Sequence, residues 1–166
     1  MRQDYAGLSY EEAVRKYART VASAALMRLG SYADAEDCFQ NTFLKLYTSS
    51  PAFADEGHLR AWLIRVAINE SKNILRTRGR TVPLDAAADI PVFLSDDSGE
   101  GRVPAVLMRL KPKYREVLYL HYCERYKIDE IARILGRNPN TVKTLLRRGR
   151  EQFKAIYKGG DTDEAT

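Results

Sequence analysis

Four basic side chains near the end of the chain recur at a helical spacing and predict binding to a polyanion. Lys143, Arg147, Arg150 and Lys154 stand at i, i+4, i+7 and i+11, which places them on one face of a helix. Arg and Lys bind phosphates, and Arg also pairs with guanine through two hydrogen bonds. More polar residues lie beside this face, at Thr141, Thr144 and Arg148. The pattern predicts a DNA-binding helix, and the alternative is a solvated basic face on a helix that binds a protein.

The residues around this face predict a helix-turn-helix that would present it to DNA. Ala132 lies where two helices would cross closely, Gly136 follows where a left-handed residue is needed, and Val142 returns to the inner face. Asn138 is suited to cap the second helix and Pro139 to begin it. In helix-turn-helix proteins the N-terminal end of the second helix enters the major groove.

A second candidate helix, AWLIRVAINESKNILRTRGR at residues 61–80, is apolar and basic at once. Its apolar side continues from Leu59 through Leu63 and Val66 to Ile74. On spacing alone this is an ordinary core helix with a solvated face. The rest of the chain favours a face that holds nucleic acid, made of Arg65, Asn69, Lys72 and Arg76.

Two further helices precede this one and complete a predicted first domain at residues 1–80. Ser9 and Glu12 form a capping box that opens the first helix, and Gly30 ends it. The second helix is predicted from about residue 33 to 47 and the third from near residue 58 to 78. No alternating apolar pattern of the kind that predicts strands persists along the chain, so the fold class is all-α.

The charge of the chain is distributed unevenly and divides it into segments. Residues 81–103 contain five acidic side chains and one basic side chain together with Pro and Gly, which predicts a flexible acidic linker. Residues 104–158 contain 14 basic and five acidic side chains, a net charge of +9, and form the predicted helix-turn-helix domain. Residues 159–166 are an acidic tail. We therefore expect two small helical domains joined by a linker.

Several classes of function are not indicated. No apolar N-terminal run predicts a signal peptide or a membrane span, so we expect a cytoplasmic protein without membrane insertion. Cys38 and Cys123 are expected to be buried free thiols, and neither His58 nor His121 has partners at metal-ligand spacing. Without a phosphate-binding Gly loop, metal cluster or nucleophile motif, we expect no enzymatic activity, cofactor or metal.

Three blocks of the sequence, in order along nearly the whole chain, resemble the extracytoplasmic-function group of sigma factors in the sigma-70 family. DAEDCFQNTFLKLY at residues 34–47 is similar to the family's polymerase-clamp-binding helix. FADEGHLRAWLIRVAINESKN at residues 53–73 is similar to its promoter-melting segment. TVKTLLRRGRE at residues 141–151 is similar to its recognition helix. The family usually has a Ser-like cap where this chain has Lys127, so we expect that cap to be absent.

The resemblance implies a transcription initiation factor that binds core RNA polymerase, directs it to promoters by their minus-ten and minus-thirty-five elements, and assists promoter melting. The implied partners are the clamp helices and flap of the large polymerase subunits, promoter DNA and an anti-sigma factor. The implied location when bound to polymerase is the nucleoid. The linker would follow the family's path through the RNA-exit region.

Matching positions carry site roles over from the family. The loop at residues 50–57 would receive a flipped base, with Phe53 in the pocket wall and Asn73 bonded to the base, unless Asn73 is a plain surface amide. Asn69, Lys72 and Arg76 would follow the single strand and its phosphates, and Arg65 on the same helix face would also bind the minus-ten element. Thr141, Lys143, Thr144, Arg147 and Arg148 would contact the minus-thirty-five element. Polymerase contacts are implied for Asp34, Glu36, Asp37, Gln40, Phe43 and Leu44, with core burial as the alternative for Phe43.

A freestanding helix-turn-helix regulator, which would bind duplex DNA without polymerase, is the alternative function. The promoter-melting block at residues 53–73 has no role in such a protein. The block therefore favours the sigma factor.

Overall fold

The chain divides into two compact helical units, Met1–Val82 and Pro83–Thr166, and each is described by itself. The computed structural model describes residues 4–49, 51–78 and 102–164. Within these ranges there is no β-sheet, only an isolated antiparallel bridge between Tyr5 and Leu8. The predicted all-α class is confirmed. The predicted acidic linker lies outside the described residues except for its last two positions, which are helical.

The N-terminal unit consists of α1 (Tyr10–Leu29), α2 (Tyr32–Ser49) and α3 (Glu56–Arg78). The Ser9 hydroxyl accepts from the Glu12 N–H at 3.2 Å, and the Glu12 carboxylate accepts from the Ser9 N–H at 2.8 Å. Gly30 ends α1 with a φ of 68°, and its N–H donates to Leu26 O. The predicted capping box and helix end are both confirmed.

Small side chains occupy the crossing of α2 and α3. The Cys38 thiol donates to Ala67 O at 3.1 Å, and the Ser71 hydroxyl donates to the same oxygen at 2.7 Å. Cys38, Ala67 and Ser71 are all fully buried. Burial raises the pKa of the Cys38 thiol above its ordinary value. Cys38 is therefore the buried free thiol that the sequence predicts.

The segment before α1 packs onto α2, which the sequence analysis did not anticipate. Tyr5 and Leu8 exchange two backbone hydrogen bonds around a turn in which Gly7 has a φ of 87°. Tyr5 is 1% exposed, and its hydroxyl donates to Leu46 O at 3.5 Å. The Tyr10 hydroxyl donates to Phe43 O at 3.0 Å. This segment therefore covers one side of the C-terminal half of α2.

An ion pair connects α1 to the start of α3. Lys16 Nζ lies 2.6 Å from Glu56 Oε1, and the Tyr17 hydroxyl donates to the same oxygen at 3.3 Å. The hydrogen bond from Lys16 holds the pKa of the Glu56 carboxyl below its ordinary value. Burial, together with the negative charge of Glu56, raises the pKa of Tyr17.

The C-terminal unit consists of α4 (Arg102–Arg109), α5 (Pro112–Leu118), a π-helical turn (Tyr119–Cys123), α6 (Ile128–Leu135) and α7 (Pro139–Glu164). Helix α4 begins two residues before the predicted start at Pro104, whereas α5 begins at Pro112 as predicted. Helix α7 continues past the predicted start of the acidic tail, because Gly159 keeps a helical backbone and does not take the left-handed conformation that ends a helix.

A buried guanidinium joins α4 to α5. Arg115 is 3% exposed, and its Nη1 donates to Met108 O at 3.3 Å and to Leu110 O at 3.2 Å. These carbonyls lie at the C-terminal end of α4, where backbone oxygens lack helical partners. Burial lowers the pKa of Arg115 to about 10, so the side chain remains charged near neutral pH.

Helices α5 and α7 approach closely at Gly149. A Cβ added there would lie 3.3 Å from Leu118 Cδ1 and 3.4 Å from Tyr114 Cβ. Val142, Leu145 and Leu146 continue the buried side of α7. These contacts hold α7 against the rest of the unit and leave its opposite face in solvent.

Candidate nucleic-acid and partner interfaces

The turn between α6 and α7 has the predicted geometry of a helix-turn-helix. Gly136 is left-handed with a φ of 64°, and the Arg137 N–H donates to Ala132 O at 2.9 Å. Asn138 Oδ1 accepts from the Asn140 N–H at 2.8 Å, which makes Asn138 the N-cap of α7. The backbone is thereby fixed at the end of α7 that would meet DNA.

Lys127 lacks a capping side-chain hydrogen bond at the start of α6, as the sequence predicts. The Glu130 carboxylate accepts from the Lys127 backbone N–H at 3.0 Å instead. Helix α6 therefore keeps only half of a capping box.

The first turns of α7 present the predicted minus-thirty-five residues to solvent. Thr141, Lys143, Arg147 and Arg148 are exposed, and Thr144 is half-buried. The Thr144 hydroxyl donates to Asn140 O at 3.1 Å, so its remaining capacity is to accept hydrogen bonds. Cationic side chains on a rigid, capped helix end suit the edges and phosphates of a DNA major groove.

The basic face of α7 predicted from spacing divides into two parts. Arg150 Nη1 donates to the Tyr122 hydroxyl at 3.1 Å, which ties the guanidinium to the π-helical turn. Arg150 and Lys154 line an apolar groove of about 410 Å³, while Lys143 and Arg147 do not. We call this the α4–α7 groove; its main apolar walls are Val103, Leu107, Tyr122 and Phe153.

The basic face of α3 has the exposure that its spacing predicts. Arg65, Asn69, Asn73 and Arg76 are exposed, and Lys72 is half-buried. The opposite side of the helix is in the core of the unit, where Leu59, Leu63 and Val66 are buried. Arg76 Nη2 donates to Asn73 Oδ1 at 2.8 Å. Because that oxygen is engaged, the Asn73 amide has its NH₂ group to offer to a ligand.

The loop before α3 is held by aromatic contacts that the sequence analysis missed. The half-buried Phe53 ring lies edge-on to His58 at 5.2 Å and to Trp62 at 5.6 Å between centroids. The Ala54 N–H donates to His58 Nδ1 at 3.2 Å, and Asp55 Oδ1 accepts from the His58 N–H at 2.8 Å. The i, i+4 spacing of His58 and Trp62 beside Phe53 is the signal that would have identified them.

Helix α2 exposes only part of its predicted polymerase-binding set. Glu36, Asp37, Gln40 and Leu44 are exposed, Leu44 by 58%. Asp34 and Phe43 are 5% and 4% exposed, so these two side chains do not form part of an open surface. Phe43 packs on Phe39 with a centroid distance of 4.9 Å, which is the core burial left open as its alternative.

Tyr47, which the sequence analysis did not select, extends the exposed apolar part of α2. It is 54% exposed and packs edge-on to Tyr10 at 5.2 Å between centroids. Tyr47 follows Leu44 by three residues, the spacing of neighbours on one helix face.

Cys123 is exposed, which corrects the prediction of a second buried thiol. It is the last residue of the π-helical turn and follows Tyr122, which is also exposed. Among residues 4–49, 51–78 and 102–164, no three His, Cys, Asp or Glu side chains come together as a metal site would require. None of the helices in these ranges is sufficiently long and apolar to span a bilayer.

Both units match models of one protein family. Residues 13–81 match Sigma-70 region 2, and residues 100–153 match Sigma-70 region 4. The chain is 31% identical to the ECF RNA polymerase sigma factor SigE of Mycolicibacterium smegmatis over 88% of its own length and 60% of that protein. It is 30% identical to the RNA polymerase sigma-E factor of Streptomyces avermitilis over 94% of its length and 89% of that protein.

Two solved structures resemble the chain in fold. The sigma factor RpoE of Bartonella quintana, in complex with the anti-sigma factor NepR, matches with a TM-score of 0.69 and 22% identity over 90% of this chain and 96% of that one. CnrH in complex with the cytosolic domain of CnrY matches with a TM-score of 0.62 and 24% identity, covering 90% and 88% of the two chains.

Proposed function

Because this chain belongs to the extracytoplasmic-function group of the sigma-70 family, we propose that it binds core RNA polymerase, recognises the minus-ten and minus-thirty-five elements of its promoters and assists their melting. Sigma factors are non-catalytic initiation factors that direct polymerase to promoters. The observation that carries the proposal is the presence in one chain of a helix-turn-helix with an exposed basic end and a second unit with its own exposed basic helix face.

The minus-thirty-five element binds to the exposed start of α7 in this proposal. Arg147 and Arg148 donate to guanine edges or phosphates, and Lys143 contributes a point charge. Thr141 and Thr144 lie beside them, and Thr144 can accept from a base amino group. The Asn138 cap supports this role because it fixes the helix end that enters the groove.

A flipped base of the minus-ten element binds between the loop before α3 and Asn73. Flipping costs a few kcal/mol of unstacking, which a preformed pocket must recover. His58 and Trp62 hold the Phe53 ring in place, so the wall of the pocket exists before DNA arrives. Arg76 orients the Asn73 amide, and Arg65, Asn69 and Lys72 lie along the path of the single strand.

Replacing Asn73 with Ala tests the pocket. The variant should bind duplex promoter with wild-type affinity and form open complex more slowly, as measured by permanganate reactivity of unpaired thymines in a polymerase complex. Thr77→Ala, on the same exposed stretch of α3, is the matched control. Equal rates of opening in Asn73→Ala and wild type would remove Asn73 from the pocket.

The exposed side of α2 binds the polymerase clamp helices in this proposal. Glu36, Asp37 and Gln40 supply a polar edge, and Leu44 supplies an apolar contact. Asp34 and Phe43 support the helix from its buried side. An exposed apolar residue ringed by polar ones is typical of protein interfaces.

We also propose that an anti-sigma factor holds the protein inactive by covering its DNA-binding and polymerase-binding surfaces. The two structural neighbours were solved in complexes with NepR and CnrY, and they supply the analogy for a partner of this class. Purification of the tagged protein from its native host, across growth conditions, should recover an inhibitory protein. Recovery without one in every condition would contradict this proposal.

Transcription in vitro tests the proposed function as a whole. Core polymerase from the source organism is supplied with a genomic fragment library, with and without the purified chain. We expect new transcripts that share two upstream elements. Binding of the chain alone to duplex DNA, with no polymerase association and no new transcripts, would instead establish a freestanding helix-turn-helix regulator.

A further inference from the structure

The α4–α7 groove is an apolar surface that the proposed DNA contacts do not use. Val103 and Tyr122 in its walls are 39% and 54% exposed, which is high for side chains of this type. Leu107 and Phe153 complete a cavity of about 410 Å³, within the range of pockets that bind ligands. Covering such a surface with apolar groups is favourable, so the groove is a candidate docking surface.

The positive charge at the rim of the groove indicates the charge of a complementary ligand. Arg150 and Lys154 stand beside the apolar walls, and none of the described residues lining the groove is acidic. The hydrogen bond from Arg150 to the Tyr122 hydroxyl holds the guanidinium at the rim. The complementary ligand is a short apolar segment with carboxylates next to it.

The chain itself contains one such segment, DIPVFLSDD at residues 89–97. It carries four large apolar side chains between Asp89 and the pair Asp96 and Asp97. Leu94 precedes Val103, a residue of the groove wall, by only nine positions. A connection of that length reaches at most about 30 Å and has a root-mean-square span of about 17 Å.

We propose that residues 89–97 bind in the α4–α7 groove of the same chain. The apolar side chains of residues 90–94 cover Val103, Leu107, Tyr122 and Phe153, and the aspartates pair with Arg150 and Lys154. Tethering gives the segment an effective concentration on the order of millimolar, so a weak intrinsic affinity is sufficient. Any other protein that binds the groove must first displace the segment, so the apparent affinity of that protein for the groove is lower.

Photo-crosslinking within the full-length chain tests the proposal without polymerase or DNA, so its result is independent of the proposed promoter function. The photoreactive residue p-benzoylphenylalanine replaces Phe93, and in the control it replaces Leu84. We expect the label at position 93 to crosslink within one chain to peptides from α4, the π-helical turn or residues 150–157. A distribution like that from position 84, or crosslinks only between two chains, would overturn the proposal; the latter would assign the groove to a second copy.

Charge reversal at the rim of the groove tests whether the aspartates of residues 89–97 pair with Lys154. Lys154→Glu should lower the crosslink yield from position 93 by at least about twofold at low salt, because an attraction becomes a repulsion. Lys158→Glu lies one turn further along α7 and does not line the groove, so it should leave the yield unchanged. Equal yields in both variants would contradict the pairing with Lys154.

The native thiol of Cys123 gives a second measurement that needs no artificial residue. Cys123 lines the groove and is exposed, whereas Cys38 is buried and serves as a slow internal reference. Phe93→Asp should release the segment and raise the rate of Cys123 modification several-fold, while Leu84→Asp should not. The same rate in wild type and both variants would overturn the proposal.

Discussion

Replacing Gly149 with Val is expected to loosen α7 from α5. The Cβ of any residue at 149 would lie 3.3 Å from Leu118 Cγ and Cδ1 and 3.4 Å from Tyr114 Cβ. Carbon atoms attract best at about 3.5–4.0 Å, so even this first atom is crowded. Leu118 and Tyr114 are both buried and have little room to move. The two methyl groups of Val would extend from this crowded Cβ.

The magnitude follows from two opposing contributions. Val is a better helix former than Gly by a few tenths of a kcal/mol, about 0.3–0.5, which favours the variant. Extra methyl groups in a packed contact cost about 1–3 kcal/mol. The expected net loss in the free energy of unfolding of the C-terminal unit is therefore about 0.5–2.7 kcal/mol. Gly159→Val is the matched control. Gly159 lies on the same helix as Gly149, but a Cβ added there has no neighbouring atom within 4 Å.

Hydrogen exchange measured by mass spectrometry is the appropriate assay, because each unit is then followed through its own peptides. Faster exchange is expected in α5 and α7 of Gly149→Val, with unchanged exchange in α1, α2 and α3. Gly159→Val should exchange as wild type in α5. If Gly149→Val is as protected in α5 as the control, the close approach of the two helices is refuted.

Three shorter predictions concern charge and capping. Lys143→Ala should weaken promoter binding and reduce the slope of log affinity against log salt by about 1, whereas Lys158→Ala should do neither; unchanged binding would remove Lys143 from the DNA face. Asp55 precedes α3, and its Oδ1 accepts from the His58 N–H in the first turn, as an N-cap does. Asp55→Ala should therefore destabilise the N-terminal unit by about 1 kcal/mol in denaturant titrations, and Asp55→Asn should retain most of the wild-type stability. Glu56→Gln should be less stable than wild type at pH 7. Because the folded-state pKa of Glu56 is lowered, that difference is present above the ordinary value of 4.5 and is lost as the pH falls through the lowered folded-state pKa; a difference that does not change with pH would contradict the ion pair.

The parts of the fold that the sequence predicted depend on local chemistry. The Ser9 capping box, the left-handed Gly30 and Gly136, and the Asn138 cap before Pro139 are each determined by a few neighbouring residues. Such signals act over one helical turn, so the backbone obeys them wherever the helix packs. Helix periodicity likewise separated the buried and exposed sides of α3.

The predictions that the structure corrects failed because they depend on contacts between residues distant in sequence. The sequence predicts Asp34 and Phe43 on the partner-binding surface, but α2 is covered on more than one side, and the buried segment around Tyr5 adds to that cover. A helical wheel does not show which sides have neighbours. Arg150 shares a stripe with Lys143, yet a hydrogen bond to Tyr122, 28 positions earlier, redirects it to the groove. Tertiary contacts of this kind have no local sequence signal.

The π-helical turn at Tyr119–Cys123 makes the C-terminal unit sensitive to chain length at one point. Its closing bond runs from the Glu124 N–H to Tyr119 O, five positions back, so the turn holds one residue more than an α-helical turn. Deleting a single residue there would allow an ordinary helix and rotate everything after it by about 100°. Tyr122 would leave the groove and lose Arg150, and the entry into α6 would change direction. A substitution in this segment is therefore expected to disturb the C-terminal unit less than a one-residue deletion, because the number of residues in the turn determines the direction of the helices that follow.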